Sequence, residues 1–311
     1  MTQENIFNIL LGMAIGDSIG ISYKNYFQND IFLEKKQFFL EKLESKGSCL
    51  YETDQYNYTD NIDIILFFIS HFINEIYDVN EEKLSLVLNK WFDKYDPFNI
   101  DGSLRMKIFS NIINSENSSS FYMLRLVLPL IILKHNNFEN INKDEIKKRI
   151  YFIARFSNKD KQFFKTFHLL FDMFFESEMT FSEIKTNHIE IIEEIYSIEE
   201  LFNDHIYSTL KILMEELEKE ENIIISIKNI ISYNISPEII IPLFISLRLL
   251  KNQNELLEFE YNNFLSNQNI NKLSSTFNDI YNKISEAEKK FFLRKKEENY
   301  NEENREQTKS I

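Results

Sequence analysis

Tyr58-Thr-Asp-Asn-Ile-Asp63 sets a hydroxyl, a carboxylate and an amide side by side at Thr59, Asp60 and Asn61, with a second carboxylate at Asp63. The apolar run IILFFISHF follows it directly, so the segment opens a helix. Taken alone, Thr, Asp and Asn are helix caps, and the carboxylates complement the positive end of the macrodipole. Another acid, Asp17, lies in LLGMAIGDSIG, where Gly12, Gly16 and Gly20 recur every fourth residue. On a helix they form one stripe. Each costs about 1 kcal/mol relative to alanine, a cost expected where a neighbouring helix must approach backbone to backbone. That approach is expected to bring Asp17 and the start of the Asp60 helix into one crowded centre.

Other site chemistries find no matching residues. There is no HExxH, no paired cysteine ligands, no GxSxG and no Walker loop. His71, His135, His168, His188 and His205 show no ligand spacing, and His71 and His168 fall on apolar helical stretches as core or boundary residues. The acid pairs Glu193-Glu194, Glu199-Glu200 and Glu215-Glu216 stand among polar neighbours and read as solvated faces.

The elements that must position these residues are helices. Helical apolar spacing runs through 62–77, 81–92, 121–134, 143–156, 160–175, 189–221, 223–233, 238–250 and 256–292. Hairpin dipeptides are absent and only 4 prolines punctuate the chain, which gives an all-α class. With no internal repeat and no Gly, Pro or Ser-rich linker, one domain over 1–288 is expected. Beyond it, 289–311 forms a charged, frayed tail.

The net charge of −14 counts against nucleic acid or anionic membrane as a partner. A single cysteine, Cys49, excludes an internal disulfide framework and fits a reducing compartment. Glu4 precedes the apolar stretch 6–15 and Asp17 closes it, unlike a secretory signal. No run reaches the roughly 18 apolar residues of a membrane span, because Lys228, Asn234, Glu238 and Arg248 interrupt the longest candidate. A soluble cytoplasmic protein is expected.

Four stretches, in order, resemble the ADP-ribosylglycohydrolase family, which includes the dinitrogenase reductase-activating glycohydrolases. LLGMAIGDSIG is similar to the family's opening GxxxGDAxG helix. YTDNID resembles its [WY]-[TS]-D-D-T. Trp91-Phe-Asp-Lys-Tyr-Asp-Pro-Phe-Asn-Ile-Asp-Gly-Ser103 is similar to its tryptophan helix and FDIGxxT loop, with Asp101 and Gly102 transposed. Ser118-Ser-Ser-Phe-Tyr-Met-Leu-Arg-Leu-Val-Leu-Pro-Leu130 resembles NGSLMRxxP, with Met123, Arg125 and Pro129 as counterparts and serines replacing the Asn-Gly turn.

The resemblance implies a single multi-helix bundle that binds two magnesium ions and releases ADP-ribose from modified acceptors. It implies metal ligands at Thr59, Asp60, Asn61 and Glu238, catalytic carboxylates at Asp60 and Asp63, and ligand contacts from Asp17, Lys24, Ser119, Ser120 and Arg125. The departures bear on the metal. Asn61 stands for the second aspartate, Lys24 for an expected acid, and Asn158 near the place of a histidine. The late G-x-D-T-D-T motif is replaced by Tyr233-Asn-Ile-Ser-Pro-Glu238, which has no Asp-x-Asp. Magnesium needs anionic oxygen ligands to offset its dehydration, and a lysine beside it would repel it. The cofactor expected is therefore none, or one weakly bound magnesium ion. The expected protein is a catalytically impaired relative that binds ADP-ribose, an ADP-ribosylated partner, or a protein such as a toxin. The alternatives are an active, one-metal hydrolase and a helical interaction protein with no cleft.

Overall fold

Helix α1, Gln3–Tyr23, is apolar on all sides, and every residue from 9 to 23 is buried. Such a helix must be wrapped by others rather than laid on a surface. The computed structural model describes residues 3–23, 62, 63, 65–67, 81–95, 144, 147, 148, 151, 161–175, 179–202, 205–219, 221–251, 265–279, 281 and 282. Among them every regular element is a helix.

After α1 come α2 (Glu81–Tyr95), α3 (Lys161–Phe175), α4 (Phe181–Asn187), α5 (Ile189–Tyr196), α6 (Ile206–Glu218), α7 (Ile223–Tyr233) and α8 (Pro237–Lys251). Residues 267–279 are also helical. The principal partner of α1 is α8, which is itself buried over most of its length. Helices α6 and α7 flank α8, and α3 touches α4, α5, α6 and α8. Trp91, Phe167, Phe171 and Phe244 are completely buried in this core. Among the described residues no helix is long and apolar enough to cross a membrane.

Three expectations about the elements change. The stretch 189–221 is not one helix: α5 stops at Tyr196 and α6 starts at Ile206. The break is held both by local bonds and by groups on α6. Ser197 closes α5 through its N–H to the Glu193 carbonyl (2.9 Å) and its hydroxyl to the Glu194 carbonyl (2.8 Å). Lys211 Nζ then donates to the Ile198 carbonyl (2.9 Å), and the Phe202 N–H donates to Ser208 Oγ (3.0 Å). Helix α4 was not expected, yet Thr180-Phe-Ser-Glu183 is a capping box. The Glu183 N–H donates to Thr180 Oγ1 (3.3 Å) and the Thr180 N–H to Glu183 Oε2 (2.7 Å). Within 256–292, Leu265 and Ser266 are not helical. Ser266 caps the helical residues that follow, its Oγ accepting the Asn269 N–H at 3.3 Å. The expected helix at 121–134 and the tail 289–311 lie outside the described residues.

Candidate functional site

The glycine stripe of α1 lies against α8. A Cβ at Gly12 would stand 2.5 Å from Leu249 Cδ1, one at Gly16 2.6 Å from Pro242 Cα, and one at Gly20 2.5 Å from Glu238 Cα. The partners descend in number as the glycines ascend, so the two helices run antiparallel. Gly16 meets α8 at Pro242, a proline inside the helix. That residue has no N–H and cannot bond the Glu238 carbonyl one turn earlier. At this point backbone touches backbone.

The C-terminal half of α1 therefore meets the start of α8. Asp17 and Ser18 are fully buried there, and Ser22 is nearly so, its hydroxyl donating to the Ser18 carbonyl at 2.7 Å. Across the interface Ser236 and Glu238 are buried. The Ser236 carbonyl accepts the N–H groups of Ile239 (2.9 Å) and Ile240 (3.1 Å), which starts α8 with Pro237 in its first turn. The connection from α7 is conformationally costly. Asn234 (φ 56°) and Ser236 (φ 38°) both occupy the left-handed region, which non-glycine residues enter at a cost and which recurs at functional sites. Two buried carboxylates, three hydroxyls and a tight turn thus gather at one end of the α1–α8 contact. Burying carboxyl groups is expensive without polar company, and one carboxyl oxygen of Glu238 is buried without a hydrogen bond among the described residues.

The sequence-derived candidates divide in three. Asp17 and Glu238 belong to helices packed directly on each other; the glycine stripe meets α8, while the start of the Asp60 helix, expected beside Asp17, lies outside the described residues. Asp63 pairs with Lys272: its Oδ1 lies 3.2 Å from Lys272 Nζ, and it is mostly buried. Thr59, Asp60, Asn61, Lys24, Ser119, Ser120 and Arg125 lie outside the described residues. Reading the sequence also missed Ser18 and Ser22, whose i, i+4 spacing on a helix otherwise apolar around them was a usable signal.

Among the described residues no three His, Cys, Asp or Glu side chains come together to hold a metal ion. Asp63 faces an ammonium group, and Glu238 has no acidic neighbour within its own turn.

No protein-family model matches the sequence, and no curated protein is significantly similar to it. Among solved structures, the chain is similar to one described as an ADP-ribosylglycohydrolase-related protein complex. The TM-score is 0.64 at 10% identity, covering 90% of this chain and 98% of that one. At that identity the likeness is one of fold: an all-α architecture shared over nearly the whole length of both chains.

Proposed function

We propose that this chain is an ADP-ribosylglycohydrolase-like protein that has kept the helical scaffold and lost the hydrolytic metal centre. On this reading it binds ADP-ribose, or an ADP-ribosylated side chain of a partner protein, without cleaving it. One observation carries the proposal: the α1–α8 contact is built at backbone distance by Gly16 and Gly20, yet the segment that meets it, Asn234 to Glu238, carries one carboxylate and no Asp-x-Asp.

The fold-level likeness to the glycohydrolase-related structure supports the choice of ligand class. Asp17 and Glu238 would orient polar groups of the ligand, the buried serines would hydrogen-bond it, and Lys24 would meet its phosphates. The protein would work in the cytoplasm, apart from nucleic acid and membranes.

Titration calorimetry with ADP-ribose, with and without magnesium, tests this directly. Micromolar to millimolar binding that does not depend on magnesium is expected. A parallel incubation with ADP-ribosylated protein should release no ADP-ribose. Release that requires a divalent metal and disappears in Asp60→Ala would instead make the chain an active hydrolase. No ADP-ribose binding under either condition would leave the interaction-protein alternative.

A further inference from the structure

We draw no further inference here: the strongest candidate, the exposed aromatic patch that Phe202 and His205 form between α5 and α6, carries none, because nothing in the structure shows what covers it.

Discussion

Asn234 and Ser236 flank Ile235 with positive φ at both positions, and the α7–α8 turn depends on side chains that tolerate it. Asparagine is the common substitute for glycine after a helix, and the Asn234 N–H closes α7 by donating to the Ile231 carbonyl at 3.1 Å. Asn234→Val should lower stability by about 1–3 kcal/mol, the usual cost of forcing a branched residue into this region. Asn234→Gly should leave the urea midpoint unchanged or raise it. Glu216 makes a second case at this scale. It is fully buried, accepts from Lys219 Nζ (2.6 Å) and from Asn229 Nδ2 (3.3 Å), and is no part of a solvated face. Neighbouring residues on a helix point about 100° apart, so Glu215-Glu216 could not both face water once α7 covered one side. Nothing in the local sequence says which would turn inward, because Asn229 comes from another helix. Lys219→Met should cost about 1–3 kcal/mol by leaving the carboxylate short of a donor, measured by chemical denaturation. The hydrogen bond to Glu216 raises the Lys219 value above 10.5, with desolvation opposing it. Its contribution is therefore full below 10.5 and fades as the pH climbs through the raised value.

Between elements, the three glycines are not equivalent. At Gly16 an added methyl meets the backbone of Pro242 and Ile241, and at Gly20 the backbone of Pro237 and Glu238. At Gly12 it meets the ends of the Leu249 and Ile245 side chains. Rotamers can give way and backbone cannot, so Gly16→Ala should destabilise by about 1–3 kcal/mol. Gly12→Ala should stay near neutral, because the gain in helix propensity of about 1 kcal/mol offsets a milder clash. Thermal unfolding of the two variants makes the comparison. That a helix would press on this stripe was legible beforehand, because a stripe spaced by four is a local pattern; that the helix is α8 was not. The Thr180 capping box was legible on the same grounds and was overlooked beside a long apolar run. The break between α5 and α6 was not legible. Continuous helical periodicity crosses it, and the groups that stabilise it, Lys211 and Ser208, act only once α6 folds back. The Asp63 pairing was hidden for the same reason, since Lys272 lies 209 residues further along the chain.

For the molecule as a whole, the shifted acids and the shifted histidine act in one direction on the acid side. His168 is held neutral by burial first and by Lys147 second. Its contribution is complete above 6.5 and is lost as the pH falls from there through its lowered value. Glu183 is lowered by the Thr180 hydrogen bonds, and Glu194 by Lys165 and then Tyr207. Their contributions are complete above 4.5 and decline below it. Thermal midpoints recorded from pH 8 to 4 should therefore fall in two stages, and His168→Phe should remove the first. The fold class could be read from the sequence. The charge inventory could be read as well, but its arrangement into ion pairs could not, because His188, Asp172 and Lys147 come from separate elements. The α1–α8 contact also has a temporal side. During synthesis α1 leaves the ribosome roughly two hundred residues ahead of α8, which at about 5–20 residues per second is a wait of about 10–40 s. Throughout it, a helix apolar on every side has bare backbone along one stripe and no complement. Native packing of α1 on this stripe therefore waits for the late arrival of Pro237 to Lys251.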